Sequence, residues 1–344
     1  MNTEIFKLLP NESNNPSIKK AAEILCGGGL VAFPTETVYG LGGDATNPSA
    51  AKNIYKAKGR PSDNPLIIHI ADPADAELYA YTSETYYKLA AAFMPGPLTV
   101  ILPKKDTVPI EVTGGLDTVA VRCPSHPIAR ALIRKAGVAI AAPSANLSGS
   151  PSPTSGEHVI RDLNGRIEVI IDGGECDIGL ESTIIKLDGE RATLLRPGAI
   201  TADALSCICK KVDIAPAVTE SLKENERPLS PGMKYRHYAP KAPLILLDGD
   251  EEEVLSYMYR RQNAERCVII CYDEELEYLR NERIISIGAR DDLNMQAHSL
   301  FSALRLADEL DGEVVYAHLP SKEGVGLALY NRLIRAAAHT VLEV

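Results

Sequence analysis

The amino-acid sequence predicts an α/β protein. A twisted, mixed α/β sheet carries the chemistry, and a smaller parallel α/β unit follows it. Three observations lead there. Between residues 17 and 202, helical periodicity interleaves with short β-branched runs. Several of those runs follow one another directly, without the strict strand–helix–strand rhythm of a purely parallel sheet, so a mixed sheet fits best. Beyond a polar, proline-rich stretch, strand-like and helix-like segments alternate again from residue 243 to the end.

The elements follow in order. "SIKKAAEILCGGG" reads as a helix with Ser17 as N-cap and glycines ending it. "LVAFPTET" is a buried strand running into a turn, and "NPSAAKNIYKAKG" a helix with Asn47 before Pro48 at its first turn and Gly59 past its end. Next come strand "PLIIHI", helix "SETYYKLAAAF", strands "PLTVILP" and "TVAVRCP", helix "HPIARALIRKAG" and strand "VAIAAPSAN". Helix "GEHVIRDLNG" and strands "RIEVIID", "STIIKLD" and "ATLLRPG" complete the first region. "CKKVDIAPAVTESLKENERPLSPGMKYRHYAPKAP" holds five prolines and reads as a linker. The last unit runs strand "PLILLDG", helix "EEEVLSYMYRRQNA", strands "RCVIICY" and "RIISIGA", helix "QAHSLFSALRLADEL", strand "GEVVYAHLP" and helix "ALYNRLIRAAAHTVLE". The expected boundaries are a first domain over 14–202, a linker over 203–242 and a second domain over 243–344.

Composition narrows the class. At 344 residues the chain exceeds the size at which one core keeps growing, which favours two domains. Its apolar runs are too short to span a bilayer, and the N-terminus lacks the apolar region of a signal peptide, so a cytoplasmic protein is expected. The seven cysteines form no C-x-x-C pair, which argues for reduced thiols rather than a disulfide framework or zinc site. With a net charge of −10, an anionic substrate must be met by a concentrated cationic pocket rather than by the overall field.

No phosphate-loop, zinc-protease or nucleophile-elbow motif occurs, and the second unit shows no G-x-G-x-x-G. What remains are polar clusters where strands end in loops. "FPTETVYGLGGDA", residues 33–45, is either a turn or a loop whose Gly40, Gly42 and Gly43 let backbone approach a ligand. In "AKGRPSDNPLIIHI", Lys58 balances its helix dipole, but Arg60, Ser62 and Asn64 between Pro61 and Pro65 suit a stiff loop aimed at a polyanion. His69 reads as a satisfied core residue or a ligand contact. Arg122 interrupts a strand of small apolar residues, so its charge needs a buried partner or a ligand carboxylate. "AIAAPSANLSGSPSPTS" offers five serines, an asparagine and a threonine within a dozen residues, donors suited to phosphate and ribose. Ser182 and Thr183 open one strand and Arg196 closes another. Such a set, without a nucleophile–base pair, describes a site that works by positioning and charge stabilisation.

These blocks, "PTETVYGLGGDA", "KGRPSDNPLIIHI", "PGPLTVIL", "VAVRCPSHP", "APSANLSGSPSPT", "GLESTII" and "RPGAI", resemble the YrdC-type threonylcarbamoyl-AMP synthases. "SPGMKYRHYAPKAPL" and the extra unit resemble the long form of that family, with a YrdC-like catalytic domain and a Rossmann-like C-terminal domain. The resemblance implies a nucleotidyltransferase making threonylcarbamoyl-AMP and pyrophosphate from L-threonine, bicarbonate or CO2, and ATP. The product would serve N6-threonylcarbamoylation of adenosine 37 in tRNAs reading ANN codons, through a separate transferase complex. It implies catalytic roles for Lys58 and Arg60, and ATP contacts from these two with Ser62, Asn64, Thr118, Ser144, Asn146, Ser152, Arg196 and Tyr235. Lys234, Arg236 and His237 lie in the same linker, which in the family folds over the nucleotide cavity. Threonine contacts are implied for Thr37, His69, Arg122, the Ala142 backbone and Ser182. Mg2+ is expected on the ATP phosphates rather than in a protein cage, and no membrane or stable nucleic-acid contact is expected. The rival reading is an RNA-binding module without nucleotidyl transfer.

Overall fold

A computed structural model describes residues 2–220 and 238–344. The chain divides into two compact units. The first comprises Met1–Ser148, Ser152–Asp177 and Glu181–Lys234, and the second Gly149–Pro151, Ile178–Leu180 and Tyr235–Val344.

The first unit opens with β1 (Glu4–Lys7), α1 (Pro16–Cys26), β2 (Val31–Phe33), β3 (Gly40–Asp44), α2 (Pro48–Lys58) and β4 (Ile67–His69). It continues with α3 (Glu84–Phe93), β5 (Leu98–Pro103), β6 (Thr118–Arg122), α4 (Pro127–Ala136), β7 (Ile140–Ala142) and α5 (Gly156–Leu163). Then come β8 (Val169–Asp172), β9 (Thr183–Asp188), β10 (Arg191–Arg196), α6 (Ala202–Ser206) and β11 (Lys211–Ile214). Its eleven strands form one sheet in the order β1-β8-β2-β3-β7-β4-β6-β5-β9-β10-β11. The sheet is mixed: β4 runs parallel to β6, whereas β7 and β5, on either side of that pair, run antiparallel to it. Helices α1 and α4 bury Ile18, Leu25, Ile128 and Leu132 against Val31, Phe33, Val169 and Ile171.

Local chemistry explains the ends. Asn47 Oδ1 accepts from Ser49 N to cap α2, and Gly59 stops that helix in the left-handed region at φ 63°. Asn15, not Ser17, caps α1: its side chain accepts from Ser17 N, which places Pro16 in the first turn. The expected glycine loop is strand β3. A Cβ at Gly42 would lie 2.6 Å from Ile140 Cγ2 and 2.9 Å from Phe33 Cε1, so this glycine lets strands and side chains close-pack. Within the proline-rich stretch, residues 202–218 carry α6 and β11, which adds a parallel edge strand beside β10.

The second unit contains β12 (Leu244–Asp248), α7 (Glu251–Ala264), β13 (Cys267–Cys271), β14 (Ile284–Ser286), α8 (Leu293–Ala307), β15 (Val314–His318), α9 (Gly326–Ala336) and β16 (Val341–Glu343). Its five strands pair in the order β14-β13-β15-β12-β16, all parallel. Leu247, Val254, Met258, Ile269 and Tyr316 form its core. The residues "VLE", expected as helix end, form edge strand β16 instead: Ala338 and His339 take left-handed φ values of 49° and 62°, which end the helix and let Val341–Glu343 pair with β12. All seven cysteines are free. No helix among the described residues is long and apolar enough to cross a membrane.

Candidate active site

Most of the expected residues gather in the first unit as hydrogen-bonded groups, several of which join distant parts of the chain. Lys58 is the last residue of α2 and is buried. Its Nζ donates to Ser144 O at 2.6 Å, Asn146 O at 2.5 Å and Asn146 Oδ1 at 3.3 Å. Ser144 Oγ donates to the same Asn146 Oδ1 at 2.5 Å, and Ser148 N donates back to Lys58 O at 3.0 Å. Backbone bonds tie this serine-rich segment to β3 and the residue before it: Leu41 N to Pro143 O, Ala145 N to Tyr39 O and Tyr39 N to Pro153 O. The segment is thus a shaped loop. A buried ammonium needs strong acceptors, and two main-chain carbonyls with an amide oxygen supply them.

The proline-stiffened turn folds back on itself. Arg60 Nη2 donates to Asn64 O at 3.3 Å and Pro65 O at 3.2 Å, and Tyr55 Oη donates to Asn64 O at 3.1 Å. Burial pushes the Tyr55 hydroxyl up to about 12, so it stays a donor. Asn64 is fully buried, yet neither its Oδ1 nor its Nδ2 has a hydrogen-bond partner among the described residues. Ser62 lies exposed on the same turn.

A second group forms where four strands lie side by side. His69 on β4 is in register with Arg122 on β6 and with Ile140 on β7, and Thr99 on β5 is in register with Arg122. Residues in register on neighbouring strands share a face, so His69, Arg122 and Thr99 form one row. Arg122 finds the buried partner its sequence setting demanded. Its Nη2 lies 2.9 Å from Glu36 Oε1 and donates to Thr35 Oγ1 at 3.4 Å. Thr35 Oγ1 donates to Val38 O at 2.6 Å, so it accepts from Thr37 Oγ1, 2.9 Å away, and from Thr37 N at 3.2 Å. His69 Nδ1 lies 3.3 Å from Ile140 O. Burial, reinforced by the Arg122 charge, pushes the imidazole down to about 3, so it is neutral at physiological pH.

A third group continues the row. Thr99 Oγ1 and Ser182 Oγ are 2.7 Å apart, and Arg196 donates to Ser182 twice, from Nε to the carbonyl at 3.0 Å and from Nη2 to the hydroxyl at 3.1 Å. Ser152 Oγ donates to Glu181 Oε1 at 2.6 Å. Ala142 is the buried last residue of β7, two positions before Ser144. Thr118 stands apart: it opens β6, four residues from Arg122 at the opposite end, and is half-buried. Lys234, Tyr235, Arg236 and His237 lie outside the described residues.

Sequence reading left Glu36, Thr99 and Glu181 without assigned roles. Glu36 carried a weak signal, as a carboxylate between two threonines directly after a buried strand. Thr99 carried none, because a strand threonine is ordinary until its neighbour strand is known. No group of three or more His, Cys, Asp or Glu able to hold a metal ion occurs among the described residues.

Comparison with known proteins gives the family. The family described as "Telomere recombination" matches residues 23–198, and "Threonylcarbamoyl-AMP synthase, C-terminal domain" matches residues 200–338. The chain is 46% identical over 333 residues to the threonylcarbamoyl-AMP synthase of Bacillus subtilis, covering 96% of this chain and 95% of that one. It is 45% identical over 336 residues to the Pyrococcus abyssi enzyme of the same name, covering 95% and 96%. A solved structure of P. abyssi Sua5 complexed with L-threonine superposes with a TM-score of 0.90 at 40% identity, over 100% of both chains. None of these findings supports a module that only binds RNA. With fold, sequence and both halves in agreement, the chain belongs to the threonylcarbamoyl-AMP synthase family.

Proposed function

We propose that this chain is a nucleotidyltransferase that joins L-threonine, bicarbonate or CO2, and ATP into threonylcarbamoyl-AMP and pyrophosphate, for threonylcarbamoylation of adenosine 37 in tRNA. The observation that supports it most is the Lys58 hydrogen-bond set: one ammonium joins motif blocks 86 and 88 residues apart into a single cationic corner. In this reading Lys58, Arg60, Ser144 and Asn146 meet the phosphates, with Asn64, Ser62, Ser152, Arg196 and Thr118 around the nucleotide. Thr37, His69, Arg122, Ala142 and Ser182 take the amino acid. The Lys234–His237 segment and the expected lid belong to the reading but rest on the family resemblance alone. The same holds for the downstream transferase complex and for a cytoplasmic location.

The chemistry follows from these placements. The threonine amine must be neutral to attack CO2. It loses one proton as the carbon–nitrogen bond forms, leaving a carbamate. A neutral His69 beside that amine does not add a competing positive charge. The carbamate oxygen then attacks the α-phosphorus, and the bond to the bridging oxygen of pyrophosphate breaks. Lys58 and Arg60 stabilise the charge that develops on the leaving group. Magnesium bound to the phosphates would add charge neutralisation there. The residues around Lys58 suit that arrangement in type: Ser144 and Asn146 bring a hydroxyl and an amide rather than a carboxylate cage for the ion, and in this reading they would exchange part of their internal hydrogen bonds for phosphate oxygens. No covalent enzyme intermediate is required.

The test is pyrophosphate release by the purified chain with ATP, bicarbonate and each of threonine, serine and glycine. Release that depends on both threonine and bicarbonate is expected. Release that proceeds equally with glycine, or without any amino acid, would overturn the assignment.

A further inference from the structure

The two threonines around Glu36 and the arginine opposite it describe a device that the assigned roles leave unused. Glu36 lies in the turn after β2 and is buried, with 4% of its surface exposed. Its carboxylate reaches two elements. Oε1 is 2.9 Å from Arg122 Nη2 on β6, and Oε2 accepts from Ser125 N at 3.1 Å, just ahead of α4. Arg122 Nη2 is also held by Thr35 Oγ1, whose own proton is committed to Val38 O. One guanidinium nitrogen is therefore gripped from two sides, and the planar group cannot swing about its Cδ–Nε bond without losing both contacts.

The rest of the guanidinium is differently placed. Arg122 Nε is buried and has no hydrogen-bond partner among the described residues, and Glu36 Oε1 makes a close ion pair without a directed hydrogen bond. Buried polar groups in native structures are almost always satisfied, so an unsatisfied guanidinium N–H in a row of candidate ligand contacts points to an anionic ligand group. Glu36 also offsets the arginine charge before any ligand arrives, which a buried cation requires. A neutral pair suits a zwitterionic amino acid. A lone buried cation would equally attract a polyphosphate.

We propose that Glu36 is a positioning residue that holds the Arg122 guanidinium so that its unpaired Nε–H receives the carboxylate of the amino-acid substrate. The proposal rests on the reading that Arg122 binds that carboxylate, and the experiment separates the two. Pyrophosphate release by the full chain is measured with threonine varied at saturating ATP, then with ATP varied at saturating threonine. Glu36→Gln keeps the shape and the Ser125 contact but removes the charge. It should raise KM for threonine by about tenfold or more while KM for ATP changes by less than about twofold. Glu36→Asp should show a smaller rise of the same threonine-selective kind. Equal rises in both KM values, or an unchanged KM for threonine, would reduce Glu36 to a structural residue and overturn the proposal. If Glu36→Gln does not fold by circular dichroism, Glu36→Asp decides by the same criterion. Arg122→Lys is run beside them. If it leaves KM for threonine unchanged, the Arg122 reading falls and Glu36 falls with it. If it raises that KM while the Glu36 variants do not, only the Glu36 proposal falls.

Discussion

Lys58 and Arg122 are both buried cations of the first unit, and they are housed in different ways. Lys58 sits at a helix end and donates into the carbonyls of a loop. Arg122 sits inside a sheet and faces a carboxylate. The first arrangement uses a charge to shape a flexible segment, so its removal should cost the loop its form. The second balances a charge within a rigid scaffold, so its removal should strand the partner. Shape on one side and charge balance on the other suit a polyphosphate and a small zwitterion respectively.

The largest expected effect tests that contrast directly. Arg122→Gln leaves Glu36 buried and uncompensated and should lower the unfolding free energy by about 3–5 kcal/mol. Lys58→Met should cost only about 1–2 kcal/mol, yet reduce kcat/KM for ATP by about a hundredfold or more. Urea denaturation of both variants, together with pyrophosphate release for Lys58→Met, checks the pair. Equal losses of stability would erase the distinction.

The next effect concerns the arginine row alone. His69 is pushed down to about 3 when folded, from about 6.5 when unfolded. The unfolded chain therefore binds the extra proton first. This contribution to stability is fully present above about pH 6.5 and is lost as pH falls from there toward about 3. Denaturation midpoints measured from pH 7 to pH 4 should fall, and His69→Gln should flatten that slope. A variant with the wild-type slope would show that other groups set it.

The smallest of the three asks whether β3 is packing or ligand surface. Gly42→Ala places a methyl group against Ile140 and Phe33 and should destabilise by about 1–3 kcal/mol. KM for ATP should stay near that of the parent protein. A large rise in that KM with unchanged stability would return the glycines to the ligand.

These residues also show what could be read from sequence. The second unit's alternation was visible because each strand and its following helix are local, so periodicity reports them; only its last strand, beginning at Val341, was lost in the tail of a helix pattern. The mixed character of the first sheet was visible too, but its strand order was not, since β5 pairs with β9 and β3 with β7 across long stretches of chain. At the candidate site the residue types were legible and their partners were not. The charge on Arg122 demanded compensation, yet nothing near it in sequence named Glu36, 86 positions earlier. The neutrality of His69 comes first from its burial in the sheet and is reinforced by the arginine one strand away, and neither is visible in its own segment. That Gly40, Gly42 and Gly43 lie in a strand was not legible, because glycines of a turn or loop and glycines that let a strand close-pack look alike until the neighbour is in place.

Edge strand β1 carries a consequence for how the chain is made. It pairs in parallel with β8, and the Thr3 hydroxyl on Ile167 O closes a separation of 164 residues. At roughly 5–20 residues per second, synthesis from the N-terminus keeps the segment waiting about 8–30 s for its partner strand. During that interval Ile5 and Phe6 are an unpaired β-forming stretch of the nascent chain. The strand that sits at the sheet edge is thus made long before the strand that holds it, and its apolar residues stay open to other partners until β8 is synthesised.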